Sequence, residues 1–183
     1  MIVKLFTWLC VVWFRGAGWK ISGGFPEDIR QYVLVVAPHT SNVDFFVGVA
    51  ARKILGLRVG YLAKRELFTF PIKKLLLNLG GVPVDRTKSS SLVDQVARRF
   101  EEDPDFALTV TPEGTRGKVT EWKTGFYHIA LAANVPVIQV GFDYKTKIVV
   151  ISPPRCLQKD KQEEIKAMQA FASTIHPRHP KRG

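Results

Sequence analysis

The sequence predicts an α/β fold: a single domain with a largely parallel sheet flanked by helices, and a short apolar helix at its N-terminal end. Three observations predict it. Short Val-rich runs alternate with longer segments of helical spacing, the pattern of a parallel sheet with crossover helices. The chain has 183 residues, 46% hydrophobic and 23% charged, which suits one domain with a sizeable core and excludes a disordered chain. Polar clusters follow directly on several of the apolar runs, where α/β folds carry their chemistry. The predicted organisation is a membrane-interface helix over 1–18, the α/β domain over 19–175 and a flexible basic tail over 176–183.

Met1 to Phe14 is almost wholly apolar, broken by Lys4 and Thr7, and contains Trp8 and Trp13; Arg15, Trp19 and Lys20 follow. It falls short of the roughly 20 apolar residues of a spanning helix. A signal peptide is an alternative, but the charge at its start is slight and no clear small-residue cleavage site follows. Trp and basic residues flanking a short apolar helix suit the headgroup level of a membrane. The alternative is a terminal helix packed on the core. On the interfacial reading, deleting residues 1–14 weakens membrane sedimentation more than it unfolds the domain.

From Trp19 to Ser22 a short strand is predicted, ending at the Gly23–Gly24 turn. Tyr32 to Ala37 (YVLVVA) is a strand by its Val content. Phe45 to Leu55 reads as a helix stopped by Gly56, and Leu57 to Ala63 as a strand. Glu66 to Leu79 has helical spacing with Pro71 interrupting it early. Gly80–Gly81 turns into the short strand Val82 to Val84. Ser90 to Glu102 places Leu92, Val93, Val96, Ala97 and Phe100 on one helix face. Phe106 to Thr111 is a strand, Gly125 to Ala133 a helix, Val135 to Phe142 and Lys147 to Ile151 strands, and Asp160 to Ile175 a final helix. The segment from His176 to Gly183 is Pro-rich and basic, so it is expected to be loose and its histidines solvated.

The charge is lopsided: 27 Lys and Arg against 16 Asp and Glu give +11, with pI near 9.9. Such a chain expects an anionic partner: nucleic acid, an anionic membrane or a phosphorylated substrate. Nucleic acid is disfavoured, because no helix-turn-helix, zinc-ligand or aromatic RNA-binding motif is present. Cys10 and Cys156 are too few for a disulfide framework and have no metal-ligand spacing, so a reducing compartment is expected and neither metal nor cofactor is.

The polar cluster after the YVLVVA run is Pro38 to Asp44, PHTSNVD. Ser41 is a candidate N-cap with Asp44 three residues on, a capping box with Asp in place of Glu or Gln. His39 then sits just outside the helix. If the turn returns Asp44 to the imidazole, the carboxylate orients the ring and favours its protonation during a reaction. On these seven residues alone, a plain cap beside a plain turn histidine stands as the alternative. Further clusters follow at the other exits: Asp85 and Arg86 after Val84, and Glu113 to Lys118 after Thr111. In a parallel sheet these exits share one edge, so His39, Asp85, Arg86, Glu113 and Arg116 are expected to converge.

Four blocks in order carry a family resemblance. HTSNVD matches the His-x4-Asp motif of the glycerolipid acyltransferases, the group that contains the bacterial 1-acylglycerol-3-phosphate acyltransferases. PEGTR at Pro112 to Arg116 matches their Glu-Gly-Thr-Arg motif. GGVPVDR at Gly80 to Arg86 resembles the intermediate block with its terminal Arg, and VPVIQV at Val135 to Val140 their Val-Pro block. The resemblance runs from about Trp19 to about Tyr144. The chain departs from the family pattern at Thr111, where an aromatic or apolar residue is commoner, and in its N-terminal segment, which has room for one helix where some members have two.

The resemblance implies a glycerol-3-phosphate acyltransferase-like fold. The implied activity moves a fatty acyl group from acyl-CoA or acyl-carrier protein to the hydroxyl of a lysophospholipid, most simply 1-acyl-sn-glycerol-3-phosphate, giving phosphatidic acid. Other acceptors in neighbouring groups are lyso-ornithine lipid, lysocardiolipin and dihydroxyacetone phosphate. A non-catalytic lipid-binding protein of the same fold is the alternative from another class. His39 is the implied base and Asp44 its orienting partner, with the acceptor hydroxyl as nucleophile; an imidazole titrating near about 6.5 suits that task. Backbone N–H groups at the start of the following helix are candidates for the oxyanion. A phosphorylated acceptor needs fixed cations, and Arg86 and Arg116 are the candidates. The Glu-Gly-Thr-Arg motif implies acceptor binding by Glu113 and Arg116, with Gly114 allowing a tight turn beside Thr115; the alternative pairs Glu113 with Arg116. Lys64 is a further acceptor-site candidate, or solvated surface. His128 is expected to be a core or groove histidine. Phe68, Phe70, Leu75, Leu76 and Leu77 form a cluster for an acyl channel or for plain packing. The implied location is peripheral or monotopic, on an anionic membrane surface at the cytoplasmic face.

Overall fold

A computed structural model describes residues 2–26, 28–64, 66, 68–84, 92–117 and 119–180. Seven strands form one sheet: β1 (Lys20–Ser22), β2 (Tyr32–Val36), β3 (Gly60–Lys64), β4 (Gly81–Val84), β5 (Ala107–Val110), β6 (Val137–Asp143) and β7 (Ile148–Ile151). Their order is β1-β7-β6-β2-β5-β3-β4. Every pairing is parallel except β6 with β7. Strands β6, β2, β5, β3 and β4 therefore run the same way and end at one edge.

β2 is buried along its whole length, because helices cover both faces of the sheet; this is why it reads as an unbroken Val-rich run. Alternate residues face opposite layers. Leu34 and Val36 pack with Cys10 and Phe14 of α1 (Ile2–Gly16) and Val47, Ala50 and Ala51 of α2 (Val43–Ile54). Val33 and Val35 pack with Val96 and Phe100 of α4 (Leu92–Glu102), Phe126, Ile129 and Ala130 of α5 (Gly125–Ala133), and Met168 of α6 (Lys161–Ser173).

The remaining helix, α3 (Lys73–Asn78), is much shorter than the predicted 66–79. Proline disfavours helix in the residue before it, so the helix forms only beyond Pro71. Phe70 is 95% exposed there and lines no channel, although Phe68 is buried. The turn into β4 needs its glycine: Gly80 has φ +87, and a Cβ would lie 2.8 Å from the Val59 carbonyl oxygen. His128, expected in the core or a groove, is exposed. Phe126, Tyr127, Ile129 and Ala130 take the buried face of α5, and the turn of the helix carries His128 away from it.

The α1 helix packs one face on the core and leaves an apolar face exposed. Phe6, Cys10 and Phe14, four apart, face the core. Leu5, Trp8, Leu9, Val12 and Trp13 are exposed on the other side. Phe6 also meets the rings of Phe45 and Phe46 on α2 at 6.5 and 6.2 Å, so the exposed apolar strip continues from α1 onto the first turn of α2. Removing residues 1–14 would take Cys10 and Phe14 from the core, so truncation does not separate membrane binding from folding. Among the described residues, no helix is long and apolar enough to cross a membrane.

Residues 176–180, expected to be loose, dock on the sheet. Ile175 packs against Gly141, where a Cβ would come within 2.4 Å of its side chain. The His176 ring meets Asp143 at 2.8 Å, and the His179 N–H donates to Thr40 Oγ1 at 3.3 Å. Residues 181–183 lie outside the described residues.

Candidate active site

The exits of β6, β2 and β5 are neighbours in the sheet, and they bring three polar loops together. The central loop joins β2 to α2 and carries PHTSNVD. His39 Nδ1 lies 3.0 Å from Asp44 Oδ2. Pairing of Nδ1–H with the carboxylate assigns the tautomer and leaves Nε2 as the basic nitrogen. Asp44 Oδ2 also accepts the N–H groups of Thr40 and Ser41, both at 3.0 Å, while Ser41 Oγ accepts the Val43 N–H at 3.1 Å. Asp44 thus reaches back to the Ser41 N–H as in a capping box, but Ser41 Oγ takes the N–H two residues on and the N-cap is Asn42, so the expected Ser41 N-cap is not formed. Burial raises the pKa of the Asp44 carboxyl, but hydrogen bonds from His39, Tyr144 and the Ser41 N–H outweigh burial and hold it below the ordinary range.

The β5 loop presents PEGTR. Glu113 is buried, and its Oε2 accepts the backbone N–H of His39 at 2.8 Å. Burial pushes its pKa up, the bond to His39 only partly opposes this, and the Asp44 charge adds to the rise. Arg116 donates to Asn42 Oδ1, tying the two loops on their exposed side. The expected alternative, a Glu113–Arg116 pair, is therefore not what these groups make. Gly114 has φ +66, a left-handed conformation that favours glycine, and the end of the Lys123 side chain lies over it. Thr115 Oγ1 accepts the Gly117 N–H at 3.3 Å within the turn.

A cavity of about 1130 Å³ adjoins the pair. His39, Asp44, Arg116 and Lys123 line it, together with a long apolar wall that includes Leu34, Val49, Val59 and Phe142. Its size exceeds the usual range for small-molecule pockets, roughly 300–1,000 Å³, and polar groups occupy only part of its wall.

His39, Asp44, Glu113, Gly114 and Arg116 thus meet around one loop, with Thr115 beside them. Lys64 ends β3 in register with Val84 at the same sheet edge. Arg86 and Asp85 lie outside the described residues. The expectation for the oxyanion changes. The N–H groups of His39, Thr40, Ser41 and Val43 are taken by Glu113, Asp44 and Ser41, so this turn holds few spare donors, while the cationic Arg116 and Lys123 line the cavity. Among the described residues, no three His, Cys, Asp or Glu side chains gather as a metal site.

Two residues at the site carried no sequence signal of their own. Lys123 precedes α5 and was hidden among many surface lysines. Tyr144 follows β6 and donates its hydroxyl to Asp44 Oδ1 at 2.5 Å. Burial and the Asp44 carboxylate both raise its pKa, so it stays a protonated donor. Only the placement of β6 beside β2 brings it there.

Residues 22–143, well over half of the chain, match the family described as Acyltransferase. The chain is 30% identical over 132 residues to 1-acyl-sn-glycerol-3-phosphate acyltransferase of Haemophilus influenzae, covering 67% of this chain and 53% of that protein. It is likewise 30% identical over 132 residues to the Escherichia coli protein of that name, covering 67% and 52%. It is 31% identical over 150 residues to mouse 1-acyl-sn-glycerol-3-phosphate acyltransferase alpha, covering 75% and 51%. The chain spans about half the length of the curated relatives it matches.

Proposed function

The chain belongs to the glycerolipid acyltransferase family, and on that premise we propose that it transfers a fatty acyl group from acyl-CoA or acyl-carrier protein to 1-acyl-sn-glycerol-3-phosphate, giving phosphatidic acid. The observation that carries the reading is the contact between His39 Nδ1 and Asp44 Oδ2 at 3.0 Å, beside a large and mostly apolar cavity. His39 Nε2 takes the proton of the acceptor hydroxyl as that oxygen attacks the thioester carbonyl. A carbon–oxygen bond forms and the carbonyl electrons move onto oxygen. When the tetrahedral adduct collapses, the carbon–sulfur bond breaks and the imidazolium returns its proton to the leaving thiolate. Asp44 stabilises the imidazolium in between, as the carboxylate of a serine-hydrolase triad does. The acceptor itself is the nucleophile, so no acyl-enzyme forms. Arg116 and Lys123 supply positive charge for the acceptor phosphate and the developing oxyanion, and Arg86 and Lys64 remain acceptor-binding candidates from the sequence.

The site works at a membrane surface. The exposed strip of Leu5, Trp8, Leu9, Val12, Trp13, Phe45 and Phe46 runs onto α2, the helix whose first turn carries Asp44. Insertion of that strip at headgroup level brings the cavity to the lipid that it acylates. The net charge of +11 favours an anionic leaflet, and both proposed donors are cytoplasmic, which puts the protein on that face.

The test is acyl transfer by purified protein across a panel of lyso-lipids, with acyl-CoA and acyl-carrier protein compared. Phosphatidic acid is the expected product, and His39→Ala loses activity by at least about 10²-fold. Full activity in H39A overturns the mechanism. Turnover of lyso-ornithine lipid or lysocardiolipin but not of 1-acyl-sn-glycerol-3-phosphate overturns the acceptor. Vesicle binding without turnover of any acyl thioester marks a non-catalytic lipid-binding protein.

A further inference from the structure

We infer that Tyr144 is a positioning residue for the His39–Asp44 pair, held in that role by the segment after α6; the inference rests on the acyl-transfer reading of the site. Asp44 is the centre of the argument. Three donors reach its Oδ2: the His39 ring and the N–H groups of Thr40 and Ser41. Its Oδ1 receives the Tyr144 hydroxyl at 2.5 Å. The terminal torsion of an aspartate is soft, with broad and roughly two-fold preferences, so donors on one oxygen alone leave the carboxylate free to rock. Tyr144 pins the second oxygen and so sets the plane in which His39 finds its partner. Tyr144 is not among the residues lining the cavity, so it acts through Asp44 and not on substrate.

Tyr144 is itself fixed through its ring and its backbone. Its ring stands edge-on to Trp19, with centroids 5.0 Å apart at 90°, and Trp19 in turn stacks on Phe14 of α1. Its backbone N–H donates to the His176 carbonyl at 2.9 Å. His176 anchors that carbonyl through Asp143, whose Oδ2 receives its ring at 2.8 Å and its N–H at 3.3 Å. Three residues on, the His179 N–H reaches Thr40 Oγ1, and the Thr40 N–H is one of the donors on Asp44. The segment therefore clasps the catalytic loop from both sides of the carboxylate: through Tyr144 on one oxygen and through Thr40 on the other.

The test is Tyr144→Phe, which keeps the ring against Trp19 and removes only the donor. We expect kcat to fall about tenfold with KM within about twofold, because the transition state loses an oriented base while no substrate contact changes. Melting should fall by a few degrees, because the buried Asp44 carboxylate loses the donor on Oδ1. On an Asp44→Asn background, Y144F should cost little more, since the two residues act as a unit. A second readout needs no activity: the His39 Nδ1 proton, identified by its absence in H39A, is expected to shift and broaden in Y144F. If the wild type turns over no acyl thioester, the acyl-transfer reading fails, and the His39 proton still decides the positioning role. An unchanged kcat with an unmoved His39 proton overturns the inference. An equal loss on the D44N background overturns it as well, because it marks Tyr144 as a fold residue alone. Should Y144F fail to fold, His179→Pro removes the half-buried hydrogen bond to Thr40; a two- to threefold lower kcat supports the clasp, and an unchanged kcat overturns it.

Discussion

Glu113 and His39 are 74 residues apart, yet the buried Glu113 carboxylate accepts the His39 backbone N–H at 2.8 Å. Two carboxylates thus grip one histidine: Asp44 holds the ring and Glu113 holds the main chain. Replacement of Glu113 by Ala leaves a buried N–H without a partner, which costs about 1–3 kcal/mol, and frees the loop that aims His39. Glu113→Gln keeps an acceptor oxygen. E113A is therefore expected to lose both stability and turnover, with E113Q falling between it and wild type, as measured by urea unfolding and initial rates. A wild-type midpoint for E113A would refute the role assigned to this bond.

The Asp143–His176 contact predicts an acid-sensitive clasp. Burial raises the Asp143 pKa, but hydrogen bonds from His176 and Thr146 prevail and pull it down to about 2. A depressed carboxylate contributes stability above its unfolded value near about 4, and that stability is lost as pH falls towards the folded value. A lowering of that size is worth about 2 kcal/mol. Between about pH 5 and about pH 2, wild type should lose about that much more unfolding free energy than Asp143→Asn. Parallel curves for the two proteins would contradict it.

The outer face of α1 can be changed without touching the core. Trp8 is 58% and Trp13 42% exposed, whereas Cys10 and Phe14 are buried. Changing both tryptophans to Ala should weaken sedimentation with anionic vesicles by about tenfold or more, from the lost aromatic burial, while melting stays near wild type. A double variant that melts early but sediments normally would return α1 to a purely packing role.

The parts of this structure that were legible in the sequence are those encoded locally. The Val-rich run of β2 reports burial on both faces, and PHTSNVD with PEGTR reports two loops at strand exits. The capping geometry of Asp44 follows from three-residue spacing. The orientation of Glu113 does not, because a carboxylate beside an arginine in sequence gives no sign that it turns inward to a main-chain N–H while Arg116 turns to Asn42. Tyr144 is harder still. Its role depends on β6 lying beside β2 and on β7 folding back antiparallel, so that the turn between them faces the first turn of α2. The segment after α6 read as loose for a related reason: nothing local shows that the N–H groups of His176 and His179 reach Asp143 and Thr40.

The strand order β6-β2-β5 has a consequence for how the protein matures. His39 draws on Glu113, Asp44 on Tyr144, and Thr40 on His179, across separations of 74, 100 and 139 residues. Contacts so distant along the chain close late, since their loop entropy is met only when the strands between them are seated. A nascent or partly refolded chain can hold helices and even a sheet core while its histidine remains unaimed. Recovery of turnover should then lag recovery of helical signal.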